Sequence, residues 1–335
     1  MKNYDVYGIG NALCDIEYQV TDQILSSAGV DKGLMTLIDD QRLEELYRVL
    51  ENQKHHNIIC GGSAANSIIA VSQLGGNAYY SCKVNKDEQG EFYLDNLQEN
   101  RIDTYYSKQT LPATDQKTGR CLVLITPDAE RSMNTYLGIT STLSEAELDE
   151  EAIKQSKYVY IEGYLVASPT GHAAALKAIE IAKKYDTKVA LTFSDPNMTN
   201  FFKKEMNMLV DAGIDLLFCN FQEAQDFTGA EDLNSIREEL KSKTKQFAIT
   251  LGRNGSMVYD GEIFIDIEPH QVEAIDSNGA GDIFAGCFLY GLTNGHTPAG
   301  SAQLASYASS KLVTQFGPRL SQPQMADVKN KIFTN

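Results

Sequence analysis

The chain has 335 residues, with 45 acidic against 29 basic side chains and a formal net charge of −16. At roughly 150 residues per domain, that length fits two domains or one large domain with an appendage, and its core needs no disulfide or metal staple. The charge excludes a general nucleic-acid binder and an anionic membrane surface as partners, since both need a basic face, but a small anion held by backbone amides stays compatible with it.

Asp5–Gly10 reads as a buried first strand ending in Gly8-Ile9-Gly10. Cys14–Val20 and Leu34–Ile38 follow as strands with no helix between them, and His55-His56, after Lys54, reads as a solvated loop. Gly62–Leu74 has small and apolar residues at helical spacing. Ala78–Val84 is a strand and Glu88–Glu99 a helix; Arg120–Thr126 and Arg131–Leu137 are again strands without a helix between them. Ser144 and Glu147 form a capping box that opens a solvated helix in the acidic run Glu145–Glu151. The rest alternates: strands at Tyr158–Glu162, Val189–Phe193, Leu216–Asn220 and Phe247–Leu251, helices at Pro169–Lys184, Ala280–Thr293 and Ala299–Gln315.

This alternation predicts an α/β domain on a mostly parallel sheet with helices on both faces. The hairpin-like pieces, at about residues 14–38 and 111–138, suggest a small accessory sheet, either antiparallel decoration or a lid over a cleft. The six cysteines sit among apolar neighbours with no C-x-x-C pair and read as small buried hydrophobes. No signal-peptide pattern and no long apolar run occurs, so a cytoplasmic protein with no membrane partner is expected. No metal-ligand spacing of His or Cys is visible.

Several nucleotide and hydrolase patterns fail. Gly-Lys of the Walker A loop is absent, Leu13 stands where a third Rossmann glycine belongs, and Ala65 breaks a G-x-S-x-G elbow at Gly61-Gly62-Ser63-Ala64-Ala65. The informative stretch is Asp276-Ser277-Asn278-Gly279-Ala280-Gly281-Asp282, running into the apolar helix Ile283-Phe284-Ala285-Gly286. Gly279 and Gly281 let successive backbone amides converge on an anion at a helix N-terminus. A carboxylate at Asp282 repels a simple phosphate ligand; it makes sense facing a second substrate, whose attacking hydroxyl gives up its proton there. The plainer alternative is a glycine-rich turn with Asp at a helix start.

That heptapeptide resembles the second signature of the PfkB (ribokinase-like) family of ATP-dependent small-molecule kinases, with Ser277 for the usual Thr. Gly61-Gly62-Ser63-Ala64-Ala65-Asn66 looks like its first signature, where Gly61, Gly62 and Asn66 would contact the acceptor. Asn220-Phe221-Gln222-Glu223 looks like its N-x-x-E element, with Glu223 organising Mg2+ through water. Thr250-Leu251-Gly252-Arg253-Asn254-Gly255 looks like its nucleotide turn, so Asn220, Thr250, Gly252, Gly255 and Ser277 would serve ATP. The resemblance implies a three-layer α/β/α sandwich forming one domain over residues 1–335, with a small β-sheet lid. The implied catalytic set is Asp282 with the amides of Gly279, Ala280 and Gly281, and Arg131. A monovalent cation such as K+, held by oxygens around Asp276 and Gly317, and a monomer or homodimer are also implied.

Within the family, Gly10-Asn11-Ala12-Leu13-Cys14-Asp15-Ile16, Glu162-Gly163-Tyr164-Leu165 and Arg131-Ser132-Met133-Asn134-Thr135-Tyr136-Leu137 resemble the adenosine kinase branch. Asn11 and Asp15 would then hold acceptor hydroxyls. Arg131, Met133, Thr135 and Leu137 share one strand face by two-residue alternation, which suits an arginine beside a transferring phosphoryl above an apolar strip. A surface arginine above a half-buried strand is the plainer reading. Met35 and Tyr164 extend the strip or belong to the core. Ser194-Asp195-Pro196-Asn197 instead looks like the turn of sugar kinases, which keeps ribose, fructose and ketodeoxy sugar acids open as acceptors beside adenosine. A catalytically inactive nucleotide-binding regulator is the remote alternative.

Overall fold

The computed structural model describes residues 2–53, 55–128 and 130–333. Strand β1 (Tyr4–Ile9) opens the chain, and β2 (Leu13–Gln19), α1 (Asp22–Ser27), β3 (Met35–Leu37), α2 (Asp40–Leu50) and β4 (His55–Gly61) follow. Next come α3 (Ser63–Gln73), β5 (Ala78–Ser81), α4 (Glu88–Glu99), β6 (Ile102–Thr104), β7 (Gly119–Ile125) and β8 (Arg131–Tyr136). The second half runs α5 (Glu150–Lys154), β9 (Ser156–Ile161), α6 (Pro169–Lys184), β10 (Lys188–Thr192), α7 (Pro196–Phe201), α8 (Lys203–Asp211), β11 (Leu216–Asn220), α9 (Phe221–Thr228) and α10 (Leu233–Lys243). Strands β12 (Gln246–Thr250), β13 (Ser256–Tyr259) and β14 (Phe264–Ile267) precede the closing helices α11 (Ala280–Thr293), α12 (Pro298–Leu312) and α13 (Gln322–Phe333).

Nine strands form one sheet in the order β14-β13-β12-β11-β10-β9-β1-β5-β6. It is parallel from β6 through β12 and turns antiparallel at β13 and β14. Both faces are covered, so its strands are apolar at consecutive positions rather than alternating with polar ones. In β1, Val6 packs into the core with α3, α11, α12 and α13. Tyr7 and Ile9 point the other way, into the core with α5, α6, α8, α9 and α10. The result is the expected three-layer α/β/α sandwich.

The small sheet has the order β3-β8-β7-β2-β4. Its strands do alternate. Ile16, Tyr18, Leu122 and Leu124 pack with Leu25 of α1 and with Leu43, Leu46 and Leu50 of α2. The intervening side chains face a cavity at the large sheet. Three expectations need correction here. The small sheet extends past residue 38, because β4 pairs with β2 over residues 55–61. His55 and His56 therefore belong to a strand and not to a loop. Helices do occur within this region: Thr21 and Asp39 cap α1 and α2, which cover the outer face.

The Ser144–Glu147 capping box exists, but it closes a single 3-10 turn, and Glu147 is buried against Lys83 at 3.0 Å instead of solvated. All six cysteines are buried and unpaired. Among the described residues no helix is long and apolar enough to cross a membrane.

Candidate active site

The parallel strands β1, β9, β10 and β11 end on one side of the large sheet, the position at which open α/β sheets bind ligands. Asn11, Glu162, Ser194 and Asn220 lie just beyond or at those ends, and the inner face of the small sheet stands opposite them. Between the two is a cavity of about 580 Å³, the size of a small-molecule site.

Asp282, in the first turn of α11, lines this cavity. Ser63 Oγ donates to its Oδ1 at 2.6 Å and Asn66 Nδ2 to its Oδ2 at 2.9 Å. Both donors come from the start of α3, which packs on α11 closely enough that a Cβ on Gly286 would lie 2.3 Å from Ser67 O. Burial raises the Asp282 carboxyl to about 6, and the two hydrogen bonds oppose that rise. Asn66 is 5% exposed, and its buried Oδ1 has no hydrogen-bond partner.

Two further carboxyls are raised to about 7 by burial, Glu162 and Asp15. Glu162 accepts from Asn11 Nδ2 at 2.8 Å, from the Asn11 amide at 3.2 Å and from the Ala64 amide at 2.9 Å. It ties the end of β1 to the start of α3 and fixes the side-chain amide of Asn11. Asp15 lies on the inner face of β2 against Gly61, where a Cβ would come within 2.4 Å of both carboxylate oxygens.

The segment before α11 is a turn pinned from several sides. Asp276 accepts from the amides of Asn278 at 3.0 Å and Gly317 at 2.9 Å. Gly279 has φ +75° and is pressed on Pro318, so it alone among residue types fits there easily. Gly281 is the opposite case: a Cβ on it would meet nothing within 4 Å. The Ala280 amide already donates to Ser277 O at 3.2 Å.

Arg131 enters from the edge of β8. It pairs with Glu17 at 3.2 Å and with Asp276 at 3.4 Å, and its guanidinium lies 5.6 Å from the Phe316 ring centre. It therefore bridges the small sheet to the turn before α11, and the surface-arginine alternative is excluded, because its side chain is only 10% exposed. Met133, Thr135 and Leu137 follow it along the wall, joined by Met35, Leu37 and Val123.

At the far end Asn220 caps α9. Its Oδ1 accepts from the Glu223 amide at 2.8 Å, while Glu223 accepts from the Asn220 amide at 2.9 Å and side chain at 2.8 Å. Burial pushes the Glu223 carboxyl up to about 7, and Asp195 and Asp282 add to the rise. Both Glu223 oxygens are thus already engaged, and no cluster of three acidic, His or Cys ligands occurs among the described residues. This donor set fits a hydrated Mg2+ reached through water, because that ion keeps most of its waters and takes few protein ligands.

Of the residues singled out from the sequence, Asn11, Asp15, Gly62, Asn66, Arg131, Met133, Thr135, Leu137, Tyr164, Asn220, Glu223, Thr250, Gly252, Ser277 and Gly279–Asp282 line this one cavity. Gly61 and Gly255 do not. The Gly61 carbonyl accepts from Tyr93 Oη at 2.9 Å, behind the wall, and Gly255, at φ +85°, closes the turn after Thr250 against the carbonyl of Ile267. Among the polar wall residues with no assigned role in the sequence are Ser63, Glu17, Glu162 and Asp195. Ser63, Glu162 and Asp195 lie inside motifs the sequence displays, while Glu17 shares the face of Asp15 by strand alternation.

A sheet of this topology, with a glycine turn beside a carboxylate held by two donors, is the arrangement expected of a phosphotransferase of the kinase class. Residues 30–325 match the pfkB family carbohydrate kinase model. The chain is 29% identical to a 5-dehydro-2-deoxygluconokinase of Clostridium beijerinckii over 285 residues, covering 81% of this chain and 83% of that protein. It is 25% identical to an adenosine kinase of Schizophyllum commune, covering 97% and 99%. Among solved structures it resembles an adenosine kinase from Sinorhizobium meliloti, with TM-score 0.86, 34% identity and coverage of 98% and 99%. A probable sugar kinase from Rhizobium etli matches with TM-score 0.87 and 31% identity over 98% of each chain. The chain belongs to the pfkB family and is an ATP-dependent kinase of the sugar or nucleoside type.

Proposed function

We propose that the acceptor is an uncharged ribofuranoside, adenosine foremost, phosphorylated on its primary 5′-hydroxyl. The observation that carries this is the charge of the wall. It holds six carboxylates, Asp15, Glu17, Glu162, Asp195, Glu223 and Asp282, against one basic side chain, Arg131. Arg131 is already paired with two carboxylates. An anionic sugar acid meets no unpaired basic side chain on this wall, whereas a neutral nucleoside offers hydroxyls to the carboxyl groups and a flat base to the Met35, Leu37, Val123 and Met133 strip.

In this reading Asp15, Asn11 and the unpartnered Oδ1 of Asn66 take the acceptor's secondary hydroxyls. Asp282 accepts the proton of the attacking hydroxyl as its oxygen bonds to the γ-phosphorus of ATP and the bond from that phosphorus to ADP breaks. The amides of Gly279 and Gly281 face the charge that develops on the phosphoryl oxygens, and Arg131 supplies a further positive charge at the small sheet's edge. Mg2+, held through water by Glu223, would neutralise phosphate charge. Closing the small sheet over the cavity would exclude water, which competes as a nucleophile.

A sugar-acid acceptor is the second reading, favoured by the 5-dehydro-2-deoxygluconokinase relatives and by the Asp195-Pro196-Asn197 turn on the cavity's rim. Release of ADP from Mg-ATP across adenosine, other nucleosides, ribose, fructose and 5-dehydro-2-deoxygluconate decides between them. Turnover with adenosine at the highest kcat/KM is expected; a response confined to the sugar acid overturns the proposal.

A further inference from the structure

The segment between α12 and α13 touches both halves of the cavity. The Gly317 amide holds Asp276, Pro318 packs on Gly279, and Arg319 reaches away from the phosphate turn toward the small sheet. Leu320, 2% exposed, anchors the segment in the core. The Arg319 guanidinium donates to the carbonyl of Cys60 in β4 and, at 3.4 Å, to Asn96 Oδ1 of α4. Cys60 lies directly opposite Cys14 and next to Gly61, the residue packed on Asp15.

We propose that Arg319 is a positioning residue for acceptor recognition: fixed to β4 behind Gly61, it sets the height of that strand against Asp15 and supplies the positive charge that Asp15 needs. The proposal rests on the reading that Asp15 holds acceptor hydroxyls.

The charged groups around Asp15 leave this task to Arg319. Glu17 on its own strand and Asp282 from α11 both raise its carboxyl, and Arg319 opposes them more strongly than Arg131 does. Arg131, from β8, is already shared between Glu17 and Asp276. Both hydrogen-bond partners of Arg319 are neutral, so its charge is not spent on a carboxylate of its own. The neighbouring thiols do not contribute at neutral pH, because burial pushes Cys60 and Cys121 up to about 12 and Cys14 upward as well.

Arg319→Met removes the charge and the grip; Arg319→Lys keeps the charge. With Arg319 gone the Asp15 carboxyl rises further, so its ionised fraction at neutral pH falls and returns only in alkali. The KM for adenosine, measured in the full-length enzyme with saturating Mg-ATP, should rise about tenfold at about pH 7 in Arg319→Met and fall back toward the wild-type value near pH 9. The kcat should change less, and Arg319→Lys should recover most of the affinity. A KM unchanged, or raised equally at every pH in both variants, overturns the proposal. If Arg319→Met does not fold, the pH dependence of Arg319→Gln decides in the same way. Asp15→Asn separates the two layers: if it leaves adenosine KM unaltered, the assignment of Asp15 fails, whereas a raised KM there with normal Arg319 variants sinks only the present inference.

Discussion

Replacing Ser63 with alanine should move the acid limb of the pH–rate profile without abolishing catalysis. Ser63 Oγ donates to Asp282 at 2.6 Å, a short bond to the ionised form, alongside the 2.9 Å bond from Asn66. A hydrogen bond to a charged group contributes about 1.5–3 kcal/mol. At about 1.4 kcal/mol per pKa unit, its loss raises Asp282 by about one to two units. Starting from about 6, the carboxyl then titrates at about 7–8, inside the range where the enzyme would otherwise be fully active. The fold should tolerate the change. Ser63 is the first residue of α3, the preceding cap position is Gly62, and no side-chain cap bond exists there to be lost. The assay is kcat/KM for the acceptor from about pH 5 to pH 10, because that quantity reports the free enzyme. A limb displaced upward, with a high-pH plateau near the wild-type value, is expected. A limb that stays put while the rate drops equally at all pH refutes Ser63 as the group that holds Asp282 ionised.

Three long helices were legible in the sequence because their ends carry chemical signals, whereas α12 was read too far, to Gln315, and α13 was not read. Asp87 before α4, Ser168 with Pro169 at α6 and Gly279 before α11 are caps of familiar kinds, and all three helices have the bounds read from the residues. The face shared by Arg131, Met133, Thr135 and Leu137 was legible for an equally local reason, the two-residue period of a strand. Helices α1 and α2 escaped because α1 has 6 residues and the apolar face of α2 packs only on the small sheet. Strand β4 begins in a polar run, and its pairing with β2 is set by topology. The Ser63–Asp282 bond joins residues 219 positions apart, and no spacing rule reaches that far. Gly61 and Gly255 show the converse limit: the glycines were visible, but what demands them is the Asp15 carboxylate in one case and, in the other, the Ile267 carbonyl together with a left-handed backbone at φ +85°.

Three further outcomes are expected. Asp282→Asn should lose about 10²–10⁴-fold in kcat while ATP still binds by calorimetry, and near-normal turnover would remove Asp282 as the base. Gly281→Ala should fold normally, because its Cβ meets no protein atom within 4 Å, yet lose about tenfold or more in kcat/KM for ATP if anions approach there; unchanged kinetics would count against the cradle. Lastly, the ligand-free protein should be less stable at about pH 8 than at about pH 5. Asp15, Glu162 and Glu223 are raised to about 7 and Asp282 to about 6, whereas carboxyls in an unfolded chain titrate near 4. Between those values the folded state binds more protons than the unfolded one, so stability present at low pH is lost as pH rises through the window. Repulsion within a chain of formal charge −16 acts in the same direction. Glu162→Gln separates the two causes, since it deletes one raised carboxyl but leaves the surface charge intact. Its melting temperature should depend less on pH than that of the wild type, and an unchanged slope would assign the effect to surface repulsion instead of to the carboxyls in the cavity.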